Sequence, residues 1–91
     1  MAERGAQGDE KPLQTTDYFR MVRQRPDRAA IPEEWIRKVM QHPEYEEKQK
    51  DGRIRLWAKI PQARGKYLRV ILLADGITAH NFFLDRGFVK K

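Results

Sequence analysis

The sequence predicts an α+β fold, with two short N-terminal helices packed on a four-stranded antiparallel β-meander. Three observations predict it. Apolar and polar residues alternate almost strictly over 53–60, and 66–74 follows as a second, largely apolar strand-like run. Two Asp-Gly dipeptides, Asp51-Gly52 and Asp75-Gly76, sit where tight hairpins would join such strands. Upstream, over 15–42, the apolar residues recur instead at intervals of three and four.

Residues 1–14 hold Ala2, Gly5, Ala6, Gly8 and Pro12 among charges, with no apolar run to offset the entropy of ordering them. They are expected to form a disordered tail ahead of a single domain over 15–91. Thr15-Thr16-Asp17 offers N-cap oxygens to a first helix over Tyr18–Arg25, whose Tyr18, Met21 and Val22 share a face. Pro26-Asp27-Arg28 ends it. Ile31-Pro32-Glu33-Glu34 starts the second helix, with proline at its first position and two carboxylates at the positive end of its dipole. Trp35, Ile36, Val39 and Met40 give that helix one apolar stripe, and His42-Pro43 closes it.

The strands follow as Tyr45–Lys50, Arg53–Ile60, Lys66–Ala74 and Ile77–Leu84. Two-residue turns at the Asp-Gly sites would pair Lys48 with Arg55 and Ile71 with His80. A loop over 61–65 would place Ile60 opposite Lys66. One face then carries Ile54, Leu56, Ala58, Ile60, Leu68, Val70, Leu72, Ile77, Ala79 and Phe83, a core for the helices to cover. The other face gathers Lys48, Arg53, Arg55, Trp57, Lys59, Tyr67, Arg69, Ile71, Leu73, Thr78, His80, Phe82 and Leu84. Its rows would be Trp57, Arg69 and Phe82, and beside them Arg55, Ile71 and His80.

Composition excludes several chemistries. The chain has no cysteine, so it has neither a disulfide framework nor a thiolate nucleophile or ligand. His42 and His80 lack partners at a recognised metal spacing, so no metal site is expected. No phosphate loop, nucleophile elbow or dinucleotide fingerprint occurs, and no cofactor is implied. Glu33-Glu34 and Glu46-Glu47 are adjacent in sequence and so point in different directions, not into one hydrolytic pair. No segment has the apolar length of a secretory signal or membrane span, and a soluble cytoplasmic protein is expected.

The formal charge of +6 comes from nineteen Lys and Arg against thirteen Asp and Glu, and the excess lies in the C-terminal half. A basic surface favours a polyanion or an acidic protein as partner. On the mixed face, guanidinium groups suit phosphate, aromatic rings suit stacked bases, and a histidine can move a proton near neutral pH. RNA is therefore one expected partner. The same residues also fit simpler roles. Trp57 and Arg69 could form a cation-π pair, Asp85-Arg86 a salt-linked cap, and the whole face a solvated surface, a homodimer contact or a dock for an acidic protein.

The element order, with Tyr18-Phe19-Arg20, Ile31-Pro32-Glu33-Glu34, Pro43, Asp51-Gly52-Arg53 and Gly65-Lys66-Tyr67-Leu68-Arg69-Val70-Ile71, resembles the small RelE/BrnT-like toxin group and its uncharacterised relatives. The resemblance spans roughly residues 17–84. It implies two helices on an antiparallel sheet and, in active members, metal-independent cleavage of messenger RNA that an antitoxin neutralises. By position it implies Arg55, Lys66, Arg69, His80 and Arg86 as site residues. The mixed face itself suggests arginines holding phosphate, Trp57 or Phe82 stacking a base and His80 serving as general acid or base. The sequence departs from that group in showing no strand before the first helix unless Lys11 to Gln14 contributes one, which leaves the sheet of that group incomplete at one edge.

Overall fold

A computed structural model of the chain describes residues 12–88. Three helices, α1 (Asp17–Val22), α2 (Pro26–Ala29) and α3 (Glu33–Gln41), precede four strands, β1 (Tyr45–Lys48), β2 (Ile54–Ile60), β3 (Lys66–Leu72) and β4 (Ala79–Leu84). The strands form one antiparallel sheet in the order β1-β2-β3-β4. The predicted α+β meander is therefore what the chain adopts.

Local chemistry sets the helix ends. Thr16 caps α1 by accepting from the Phe19 amide, and Asp17 adds a carboxylate in the first turn. The expected break at Pro26 is itself one helical turn, α2, because proline's fixed φ suits a helix start. Pro32 stands at the N-cap of α3, one residue before the expected position. Glu33 then ties α1 to α3, taking Arg23 at 3.1 Å and Arg37 at 2.8 Å. The Arg37 hydrogen bond, opposed by burial and reinforced by Arg23, holds its carboxyl below the usual glutamate range.

The core lies between the helices and one sheet face. Phe19, Val22, Ile31, Ile36 and Val39 meet Leu56, Ala58, Ile60, Leu68, Val70, Leu72, Ala79 and Phe82. Phe19 and Val22 are the buried pair on α1, while Tyr18 and Met21 point outward, so the expected α1 stripe is rotated by about one residue. The central hairpin has the expected register, with Ile60 opposite Lys66, Trp57 opposite Arg69 and Arg55 opposite Ile71. A 3₁₀ turn over Pro61–Ala63 and left-handed Arg64 and Gly65 make its loop.

The outer hairpins differ from expectation, each by one residue. Between β1 and β2 the Gln49 amide donates to the Arg53 carbonyl and the Gly52 amide to that of Gln49, so the loop has three residues and ends in Gly52 at φ 94°. The shift places Glu47, not Lys48, opposite Arg55. Charge favours that register, since it replaces two facing cations with an ion pair of 3.0 Å. Between β3 and β4 the turn keeps the expected pairing as far as Leu72 with Ala79. A β-bulge at His80 then moves Asn81 opposite Ile71, Phe82 opposite Val70 and Phe83 opposite Arg69.

The bulge exchanges the two phenylalanines. Phe82 is 1% exposed in the core against Phe19, and Phe83 takes the mixed-face position predicted for Phe82. Ile77, expected in the core, lies in the turn at 55% exposure. Asp75 builds that turn by accepting from the Ile77 and Thr78 amides and the Thr78 hydroxyl. The Thr78 hydroxyl bond, ahead of the amides, holds the Asp75 carboxyl below its ordinary range.

Residues 14–16 run parallel to the free edge of β4. The Ala79 amide donates to the Gln14 carbonyl at 2.9 Å and the Thr16 amide to the Ala79 carbonyl at 3.2 Å. Leu13 packs on the core. Ordered contacts thus begin inside the expected tail, whose remainder, residues 1–11, lies outside the described residues. Among the described residues no helix is long and apolar enough to cross a membrane.

Candidate nucleic-acid interface

The residues predicted for one site fall in three places. On the mixed face, Arg55 and Arg69 stand on neighbouring strands but each is already paired. Arg55 donates to Glu47, and its Nε is buried with no partner. Arg69 lies over Trp57 at 5.3 Å and Phe83 at 4.8 Å, and donates through Nε and one terminal nitrogen to Asp85 Oδ2. The Trp57 indole donates to the same oxygen at 3.0 Å. Burial raises the Asp85 carboxyl, yet Trp57 and Arg69 outweigh it and hold the group below the ordinary aspartate range. Asp85 is thus an ionised clamp that neutralises Arg69.

Trp57 is buried, at 6% exposure, and so does not offer the open ring expected of it. The chain after β4 turns back over the sheet and stacks Phe88 on Trp57, with centroids 4.9 Å apart and planes at 22°. Phe88 also meets Tyr45 at 5.2 Å and Tyr67 at 4.8 Å. The cover of this face is the C-terminal segment, whereas α1 packs on the opposite side through Phe19. Phe82 is a second correction, since a core ring cannot stack a base.

His80 forms a separate place at the start of β4. Its Nδ1 is 3.0 Å from the Thr16 hydroxyl, and its ring stacks on Tyr18 at 5.0 Å. Because Thr16 already accepts from the Phe19 amide, its hydroxyl proton is available to donate to Nδ1 of a neutral ring. Burial, with the Arg53 charge, lowers the His80 pKa in the same sense. At ~3.3 Å per residue, about 13 Å of strand separates His80 from Leu84, so His80 is distant from the cations beyond β4.

Those cations make the third place, at the end of the sheet where the β2–β3 loop meets the end of β4. Two adjoining hollows of about 300 and 270 Å³ share Asp27, Ile31 and Leu84. Arg28, Phe83 and Arg86 line the first, and Trp35, Arg64 and Lys66 the second. Lys66 belongs to the helix-side face of β3, and Arg86 follows Asp85, whose amide is tied to the Tyr67 carbonyl. Lys59, on the mixed face near the same end of the sheet, lies over Tyr67 at 6.0 Å. Among the described residues, Lys59, Arg64, Lys66 and Arg86 have no carboxylate partner. Arg28, by contrast, is bound to Asp27 and Asn81.

Lys66 and Arg86 are thus brought together, while Arg55, Arg69 and His80 are not part of their cluster. Sequence reasoning did not single out Arg64, Trp35 and Phe88. The run Arg64-Gly65-Lys66 in a predicted loop was the available signal for Arg64. For Trp35 and Phe88 the tertiary placement carried no sequence signal. No group of His, Asp or Glu able to hold a metal occurs among the described residues. Compared with known proteins, the chain matches no family model, no curated protein and no solved structure.

Proposed function

We propose that this domain binds RNA, holding phosphate at the loop end of its sheet. The observation that carries the reading is the grouping there of Arg64, Lys66 and Arg86, which pair with no carboxylate among the described residues, around hollows that also expose part of Trp35 and whose one shared carboxylate, Asp27, is bound to Arg28. Unpaired guanidinium and ammonium groups release counterions when they meet phosphate, which supplies most of the affinity of sequence-tolerant binding. Arg55 and Arg69, spent on Glu47 and Asp85, are assigned to stability instead.

Binding without cleavage fits the geometry better than catalysis. A general acid or base must lie within hydrogen-bond reach of the reacting group, and His80 lies along β4 from the cations. Metal-independent ribonuclease activity of the toxin-like type remains the stronger form of the proposal. It requires His80→Ala to abolish cleavage while leaving binding intact. An acidic protein, or a second copy meeting the exposed Tyr18 and Met21, is the competing occupant.

Titrating a labelled single-stranded RNA at several salt concentrations tests the reading. Each lost phosphate contact lowers the slope of log K against log salt by about 0.7, so the double variant Lys66→Ala/Arg86→Ala is expected to lower it by about 1.4. Arg55→Ala is expected to leave the slope unchanged. No binding at low salt, or equal slopes for the double variant and the parent, would overturn the proposal. Sedimentation of the same samples identifies a dimer if that is the occupant.

A further inference from the structure

Tyr45, Trp57 and Tyr67 come from three adjacent strands, one ring from each, and converge on a single point of the mixed face. Phe88 fills that point, with its ring centroid 4.8 to 5.2 Å from all three. We infer that these three rings form a binding cradle for the base of a nucleotide, and that Phe88 occupies it in the free chain. The identity of the ligand rests on the RNA reading above, while the cradle itself rests on independent geometry.

The platform is held in place without help from Phe88. Asp85 fixes the Trp57 indole through Nε1, Arg69 braces the ring from its side, and all three aromatic residues stand on paired strands or at their ends. A ring surface fixed in this way binds at little further ordering cost. The plug is tethered more lightly. Beyond Asp85 the backbone is held by the Gly87 amide on the Asp85 carboxylate at 3.1 Å and by the Phe88 amide on the Asp85 carbonyl at 3.4 Å. Arg86 and Gly87 are exposed, and Gly87 directly before Phe88 permits the wide backbone rotation that release of the ring requires.

The rim supplies the second half of a nucleotide's chemistry. Lys59, on the same face, lies over Tyr67 at 6.0 Å, whereas Lys66 alternates to the helix side of β3. A planar base in the cradle would therefore have the Lys59 ammonium beside it for its phosphate. Base stacking on aromatic rings tolerates any base.

The test uses the full chain with Trp35→Phe, so that Trp57 is the single fluorescent reporter, and adenosine 5′-monophosphate as probe. Phe88→Ala is expected to tighten quenching of Trp57 by about ten-fold, the factor for a cradle open about a tenth of the time. Phe88→Leu, which keeps apolar volume but cannot stack, is expected to tighten it less, and it decides the matter if Phe88→Ala does not fold. Equal midpoints with and without Phe88 would overturn the cradle. N-acetylphenylalanine amide binding as tightly as the nucleotide would overturn the ligand class in favour of a peptide ring. If Phe88 variants change nothing but Lys66→Ala/Arg86→Ala still lowers the RNA salt slope, the cradle fails alone. The reverse pattern removes the phosphate-holding end alone.

Discussion

Replacing Phe82 and Phe83 in turn tests the bulge at His80, because strict alternation through β4 would bury Phe83 and the bulged strand buries Phe82. Phe82 is 1% exposed and packs on Phe19 with centroids 4.9 Å apart. Truncating a fully buried phenylalanine to alanine costs about 3–5 kcal/mol through lost transfer energy and an unfilled cavity. Phe83 is half-buried and lies beneath Arg69 at 4.8 Å and Arg28 at 5.6 Å. Two such cation-π contacts together contribute about 1–2 kcal/mol. A domain this small has roughly 5–10 kcal/mol in all, so Phe82→Ala is expected to remove about half of the stability and Phe83→Ala a minor part. Urea unfolding followed by circular dichroism reads both. If Phe83→Ala costs more than Phe82→Ala, the bulge and the face assignments built on it are wrong.

Asp85→Asn removes the charge that Trp57 and Arg69 share and is expected to cost about 1.5–3 kcal/mol in the same assay. Because the folded carboxyl is held below its ordinary range, that contribution is complete above the unfolded-state pKa and fades as pH falls through the lowered one. A variant within a few tenths of a kcal/mol of the parent at neutral pH would show that Asp85 is no clamp. His80 carries a different pH signature. Its lowered pKa means that the unfolded chain binds the extra proton first. Stability should therefore be complete above about pH 6.5 and fall as the solution is acidified toward the lowered value. His80→Asn should flatten that dependence, and a ring titrating above the ordinary histidine value by NMR would contradict the assignment.

Much of the fold was legible because it rests on patterns that span many residues. Alternation over 53–60 and a loop at 61–65 identified the central hairpin and its register, and the Trp35, Ile36 and Val39 stripe identified the helix that covers it. The errors arise where one residue decides the outcome. Gly52 suits a two-residue or a three-residue loop equally well, and only the Glu47–Arg55 pairing across the strands selects the longer one. A bulge has no compositional mark, so nothing in Thr78-Ala79-His80-Asn81 announces that the parity of β4 will change there. The expected positions of His80 and Phe82 shift together, since both are counted from the Asp75-Gly76 turn across the bulge.

The candidate site was less legible for a related reason. Basic residues could be located by strand, but whether each keeps its charge free depends on neighbours distant in sequence. Arg69 is neutralised by Asp85, sixteen residues on, and Arg55 by Glu47 across a hairpin. Phe88, beyond the last strand, covers three rings that alternation alone would leave open. Lys66 and Arg86 were identified in the sequence, but the adjoining hollows that they line exist only once β4 and the β2–β3 loop close around Leu84.

The central claim is that the cations at the loop end of the sheet hold RNA. It is tested most directly by amide chemical-shift mapping as a short single-stranded RNA is added to the isotopically labelled chain. The account predicts shifts concentrated at residues 59–67 and 84–88, with little change across the β1–β2 hairpin. Shifts centred instead on Tyr18 and His80, or none at low salt, would contradict it.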